Sequence, residues 1–188
     1  MSRQDDLITH LFRLVHLARS AHLKRVLTDI DPDPALNFWR LILGNHLDIA
    51  VLEWCKVFGS NAEATHWKNI VPVTEHDSFR TELLSAIKMS QQEWENYWES
   101  MKQYRDRQVA HYEELPPGAT YPVLDRALSS SYFYYKYLIS ELRELGEKRF
   151  PDDLEEYCTR FSQQTSEIAK QAVTATSKFR NRYGSNET

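Results

Sequence analysis

Apolar residues recur at three- and four-residue steps along most of this chain, and this spacing constrains its fold more than any other feature. Leu7, Leu11, Leu14 and Ala18 are a first example near the amino terminus. The spacing is typical of an α-helix with one buried face. The chain has only 5 Gly and 7 Pro among 188 residues, too few for a fold with many strands and tight turns. We therefore expect an all-α protein.

Prolines and capping residues divide the chain into a bundle of long helices with a short irregular excursion between residues 59 and 77. Asp33 is the predicted N-cap of the second helix, Trp67 anchors a shorter third helix, and Ser90 with Glu93 forms a capping box at the start of the fifth. The predicted helices are 5–28, 34–59, 62–70, a helix that starts at 77 or 78 and ends at 89, 90–112, 122–146 and 151–180. We expect residues 1–183 to form one helical domain and residues 184–188 to be a flexible tail.

The overall charge narrows the classes of function. A formal net charge of -4 provides no global basic field, so any contact with RNA must be local. Cys55 and Cys158 lack metal-ligand spacing and are expected to be reduced, half-buried thiols. No phosphate-binding glycine loop or zinc-finger spacing is present, so we expect no cofactor and no metal. Without a signal peptide or an apolar run of ~20 residues, the chain is expected to be cytoplasmic, with no membrane partner.

Residues 105–111 carry more charge than the end of an aromatic helix requires. Arg105, Asp106 and His111 lie within this short segment. An Arg and a His held together can cleave RNA without metal, because the imidazole moves protons and the guanidinium stabilises charge at phosphorus. The structural alternative is also open: Arg105 extends to solvent, while Arg107 and His111 complement the helix dipole.

Three sequence blocks in this order have a counterpart in a known family. They are LEWCKVFG at 52–59, HWK at 66–68 and RDRQVAH at 105–111. An Arg, a polar residue, a short gap and a His resemble the defining motif of the HEPN superfamily. The order of the blocks, over roughly residues 38–145, resembles the U-type abortive-infection branch of that superfamily.

The resemblance implies a helical bundle that forms a homodimer, bringing two motifs together in one cleft, and acts as a metal-independent endoribonuclease. His111 would handle the proton of the 2′-hydroxyl or of the leaving group. Arg105 would stabilise the pentacoordinate phosphate, and Asp106 would orient one of these two. The products would be a 2′,3′-cyclic phosphate and a 5′-hydroxyl. The implied setting is phage defence or growth arrest, with a cognate antitoxin as partner.

The candidate RNA-binding residues are Arg107 within this segment, and Lys102 and Tyr112 on either side of it. Arg105 and His111 are six positions apart, about 240° around an ideal helix. They converge only if the helix breaks before His111 or if two chains share the cleft. Arg107 is better placed beside His111 and could share or replace the role of Arg105.

A non-catalytic HEPN module that binds RNA, a nucleotide or a protein is the alternative function. It would be favoured by Arg105 in an internal salt bridge to Asp106, Glu99 or Asp125.

Two other patterns bear on partners and on the cleft. Residues 132–137 put aromatic rings all round one predicted helix, which favours a homodimer over a purely internal role or an RNA-stacking surface. His46 lies on the apolar side of the second helix. It is expected to be a satisfied core histidine, or else to line the same cleft as Arg105.

Overall fold

The protein, described here by a computed structural model, is all-α, as the sequence predicts. The structure describes residues 2–30, 32, 36–111 and 121–182, and these contain no strand. The α-helices are α1 (Arg3–Ile30), α2 (Asn37–Trp54), α3 (His76–Ile87), α4 (Gln91–Tyr104), α5 (Asp125–Glu144) and α6 (Leu154–Thr176). Two π-helical segments, Cys55–Gly59 and Arg105–Ala110, continue α2 and α4. Three 3₁₀ segments span Trp67–Asn69, Val73–Glu75 and Ser177–Arg182.

Helix α1 is the centre of the bundle and packs against α2, α5 and α6. Leu7, Leu11 and Leu14 are all 0% exposed, so the predicted apolar stripe is the core face. Burial of each such side chain stabilises the fold by about 2 kcal/mol relative to exposure. A smaller apolar cluster forms around Leu27 and Trp39, where α1, α2 and α6 meet.

Several helix ends follow the predicted capping chemistry. Ser90 and Glu93 form the expected capping box at the start of α4, each side chain accepting from the other's backbone N–H. Gly146 follows α5 with a φ of 83°, a left-handed conformation that glycine adopts without strain. Helix α6 begins at Leu154 and not at residue 151 as predicted, because Asp153 caps it by accepting a hydrogen bond from the Glu156 N–H at 3.0 Å.

Other starts differ from the prediction. Helix α2 begins at Asn37 because Leu36 is extended, with its side chain buried in the smaller cluster. The predicted cap of α2, Asp33, lies outside the described residues. Helix α3 begins at His76 without a side-chain cap, and α5 begins at Asp125 rather than at residue 122.

The predicted helix at 62–70 is wrong, since this region forms only the 3₁₀ segment Trp67–Asn69. Side chains bond its backbone instead of allowing a helical ladder: the Asn69 amide donates to the carbonyls of Glu63 and Ala64, and Thr65 donates to the Lys56 carbonyl. Trp67 does anchor the region, being 5% exposed.

The aromatic run at 132–137 packs against the main core of its own chain, with Tyr132, Phe133 and Tyr137 partly buried. Tyr134 and Tyr135 are both 0% exposed, because α5 packs against α1 and α3. The Tyr132 hydroxyl pairs with Nε2 of His22 at 2.6 Å. These rings therefore give no argument for a dimer.

Residues 112–120 and 184–188, with the predicted end of the motif helix and the predicted tail, lie outside the described residues. Within the described part, none of the helices has both the length and the hydropathy of a membrane span.

Candidate functional site

The predicted motif coincides with a change of helix type. Helix α4 is α-helical to Tyr104 and π-helical over Arg105–Ala110. The segment closes with the His111 N–H donating to the Asp106 carbonyl, five residues back, at 3.1 Å. At His111 the backbone is extended, with φ -131° and ψ 133°. The helix thus breaks just before His111, one of the two conditions set by the sequence. Such π-segments are found frequently at functional sites.

Asp106 orients the guanidinium of Arg105. Both Nε and Nη2 of Arg105 donate to Oδ1 of Asp106, each at 2.7 Å. The Arg105 side chain is 21% exposed and that of Asp106 is 53% exposed, so the pair lies at the edge of the bundle. Nη1 is 3.8 Å from the point that a Cβ on Gly59 would occupy. Gly59, at the end of the other π-helical segment, thus borders the guanidinium.

The thiol beneath this pair is not a nucleophile. Cys55 is 1% exposed, and its Sγ lies 3.8 Å from the Met101 carbonyl oxygen. Burial raises the pKa of the Cys55 thiol to about 12, although the nearby Arg105 opposes the shift. The thiol is therefore protonated at neutral pH. Cys55 and Cys158 are both free, as expected, but fully buried rather than half-buried.

His111 and Arg107 are both exposed. The imidazole of His111 makes no hydrogen bond or ion pair with another described residue, Arg105 included. Within one chain, the two predicted catalytic side chains therefore make no hydrogen bond to each other. Tyr112, a predicted RNA-binding residue, lies outside the described residues.

Helix α2 fixes the start of the π-helical segment. The Tyr104 hydroxyl donates to Oδ1 of Asp48 at 2.7 Å. His46, the residue proposed for this cleft from the sequence, instead lines a separate cavity with Arg19 and Phe161. Its Nδ1 is buried without a partner among the described residues, so it is not the satisfied core histidine that was expected. Burial lowers the pKa of the His46 imidazole.

A cavity of about 500 Å³ adjoins the motif. It lies between the irregular excursion, α3 and the first turns of α4, and Gly59 is part of its wall. Lys102 also lines it, with Nζ 4.0 Å from the centroid of the Trp98 ring. Two more cations of the wall, Lys68 and Arg80, were missed from the sequence because they come from other elements.

No group of three or more His, Cys, Asp or Glu side chains among the described residues is arranged to hold a metal ion. In comparisons with known proteins, no family model, no curated protein and no solved structure matches this chain.

Proposed function

We propose that this chain is a metal-independent endoribonuclease of the HEPN type, acting at a composite cleft between two copies of the chain. One observation carries the proposal: a π-helical segment begins at Arg105 and ends directly before His111. At its start, Asp106 orients the guanidinium of Arg105. At its end, the imidazole of His111 is exposed and makes no bond to another described residue.

The proposed reaction uses one imidazole and one guanidinium for each phosphate. The 2′-oxygen attacks phosphorus and loses its proton, and the bond from phosphorus to the 5′-oxygen breaks as that oxygen gains a proton. His111 transfers one of these protons, and Arg105 stabilises the charge of the pentacoordinate phosphorus. The products are a 2′,3′-cyclic phosphate and a 5′-hydroxyl.

A homodimer is part of the proposal because the family resemblance implies one, and because Arg105 and His111 make no hydrogen bond to each other within one chain. Helix α2, against which the Arg105–Ala110 segment packs, offers an apolar surface for a second copy. Phe38, Leu41 and Ile49 are 58%, 63% and 38% exposed. They lie within about 80° of one another around the helix, so they share one face. Exposed apolar faces of this kind often mark interfaces.

The order of the three sequence blocks supports a biological role in phage defence or as a toxin held by a cognate antitoxin. The second candidate function is a non-catalytic module that binds RNA, a nucleotide or a protein. The Arg105–Asp106 pair favours it, since Asp106 occupies two donor nitrogens that a phosphate would otherwise use.

The test is cleavage of total RNA by the purified chain in EDTA, alongside Arg105→Ala and His111→Ala. His16→Ala is the matched control, because His16 is also exposed but lies on α1. Each of the first two variants should lose at least about 100-fold in rate, while the control should cut normally. All four proteins should first show the same helical circular dichroism.

Two results would contradict the nuclease proposal. One is wild-type protein that leaves every RNA uncut, and the other is cleavage by both motif variants at the wild-type rate. Either result leaves the binding module as the better function. Cleavage without a cyclic phosphate on the products would reject the proposed chemistry.

A further inference from the structure

The cavity beside the motif combines aromatic rings with positive charge. Its volume of about 500 Å³ is within the usual range for small-molecule sites. Indoles of Trp94 and Trp98 form part of one wall, and cations from three elements also line the cavity. Both indoles pack against the main core, and the cavity opens at the surface of the bundle.

Helix α4 presents the aromatic wall through its register. Trp94, Trp98 and Lys102 are four residues apart and so lie on one face of the helix. Trp94 packs on Phe58, and the Trp98 Nε1–H donates to the Phe58 carbonyl at 2.8 Å. Both indoles are held in place while remaining half-buried. A fixed, partly exposed indole is a surface on which a planar ring can stack.

Positive charge converges on the cavity from the irregular excursion, α3 and α4. Lys68, Arg80 and Lys102 all line it, and none forms a salt bridge with a carboxylate of the described residues. Glu95 is the one carboxylate among the described lining residues. In a chain of net charge -4, this is a local concentration of positive charge. Three cations around one cavity suit an anionic ligand.

His66 adds a neutral hydrogen-bond donor to the same wall. It is 4% exposed, and burial together with Lys68 lowers the pKa of its imidazole to about 4. Its Nδ1 accepts from the Lys68 backbone N–H at 3.3 Å. The single proton of the neutral ring is therefore on Nε2, which can donate.

We propose that this cavity binds a nucleoside phosphate, with the base on the indoles of Trp94 and Trp98 and the phosphate among the three cations. Lys102 links the two halves of the site. Its ammonium lies over the Trp98 ring, and its flexible stem lets it move to a phosphate as a base takes its place on the ring. The ligand is either a free nucleotide or a nucleotide within single-stranded RNA, since both offer the same base and phosphate.

This inference does not depend on the proposed nuclease activity, and it gives the second candidate function, the binding module, a ligand class and a site. If the ligand is a strand of RNA, Gly59 connects the cavity to Arg105, so the bound nucleotide would sit next to the scissile phosphate. If it is a free nucleotide, the cavity is a separate site on the same chain.

The experiment measures dissociation constants by calorimetry with full-length His111→Ala protein, which cannot cleave RNA if the nuclease proposal is right. His111 does not line the cavity, so the variant keeps the proposed site. The probes are the four nucleoside monophosphates, a single-stranded oligoribonucleotide, uridine and inorganic phosphate. We expect a monophosphate or the oligonucleotide to bind at least about tenfold more tightly than uridine or phosphate.

Variants in the cavity assign the binding to it. Lys68→Ala and Arg80→Ala should weaken binding of the nucleotide about tenfold each, and Trp98→Leu should weaken the nucleotide but not phosphate. Lys170→Ala, an exposed lysine on α6, is the matched control and should bind normally. The melting temperature of each variant should lie within a few degrees of that of the parent protein. If Trp98→Leu does not fold, Lys102→Glu serves as a further charge variant.

Every outcome decides the inference. Tight binding of the oligonucleotide alone identifies the ligand as RNA, whereas equal binding of a monophosphate identifies a free nucleotide. Absence of binding by any nucleotide, or binding unchanged in Lys68→Ala and Arg80→Ala, overturns the inference whatever the result of the cleavage assay.

Discussion

Single side chains in this protein owe their charge state to what packs against them. The guanidinium of Arg105 is tolerated on an aromatic stripe because it forms a salt bridge with Asp106 and its side chain is 21% exposed. His10 shows the opposite case. It is 2% exposed, bonded to the Tyr134 hydroxyl at 3.0 Å, and burial lowers its pKa to about 4. A buried imidazole without a carboxylate partner is thus held neutral.

His10 is expected to make stability fall with acid. The unfolded chain binds a proton at this residue below pH about 6.5, whereas the folded chain does so only below about 4. The free energy of unfolding therefore falls as pH drops through this window, by about 3 kcal/mol from His10 alone. In His10→Gln, urea unfolding at several pH values should show a fall smaller by that amount.

The exposed His16 on the same helix provides the control for this prediction. His16→Gln should keep the wild-type pH dependence. An unchanged slope in His10→Gln between pH 6.5 and 4 would show that the folded chain protonates His10 at its ordinary pKa.

At the scale of elements, the two π-helical segments determine which side chains lie at the candidate site. The segment Arg105–Ala110 packs on α2, and Cys55–Gly59 packs on α4. The hydrogen bond from His111 spans five residues where an α-helix would span four. One additional residue in the turn thus separates the present arrangement from a plain α-helix.

Deletion of Ala110 should restore α-helical register, because the His111 N–H would then bond a carbonyl four residues back. The segment Arg105–Ala110 contains no buried residue. The melting temperature of the deletion variant should therefore differ from that of the wild type by less than about 4 °C. Cleavage in EDTA should nevertheless fall to the level of Arg105→Ala, since His111 would be rotated away from its present direction.

The control for the deletion is Ala110→Ser, which keeps the segment at its full length. It should cleave RNA as the wild type does. A deletion variant that cleaves equally well would show that the π-helical geometry plays no part in the reaction.

The sequence predicts the elements whose signal is local. Apolar spacing gives the buried face of α1, and the capping box at Ser90 gives the start of α4. It does not predict the π-helical segment, because residues 105–110 fit an α-helix equally well and the choice depends on contacts with α2. It predicts Lys102 as a binding residue but not Arg80, since only the packing of α3 near α4 brings these two cations to one cavity.

At the scale of the whole molecule, the proposed reaction requires a half-buried group, Arg105, and an exposed group, His111, to reach the same phosphate. The aromatic rings of α5 pack against the core of their own chain, with Tyr134 and Tyr135 fully buried. The proposal of a second copy therefore rests on the motif, in which Arg105 is paired with Asp106 and His111 is exposed past the end of the segment. A two-fold dimer would create two equal clefts, each using groups from both chains.

Mixing two inactive variants tests this arrangement. If each cleft takes Arg105 from one chain and His111 from the other, a dimer of Arg105→Ala with His111→Ala contains one intact cleft and one doubly defective cleft. Random pairing makes about half of the dimers mixed, so co-refolded protein should recover about a quarter of the wild-type cleavage rate. The measurement is cleavage in EDTA after co-refolding, with light scattering to establish the mass of each species.

The same mixture separates the competing arrangements. A cleft built from one chain predicts no recovery, because every chain in the mixture lacks one of its two groups. The control mixes His111→Ala with the double variant Arg105→Ala/His111→Ala, which offers no His111 to any cleft and should stay inactive. Recovery in the first mixture but not in the control would require that Arg105 and His111 act across the interface, and light scattering that shows only monomers would reject the composite cleft.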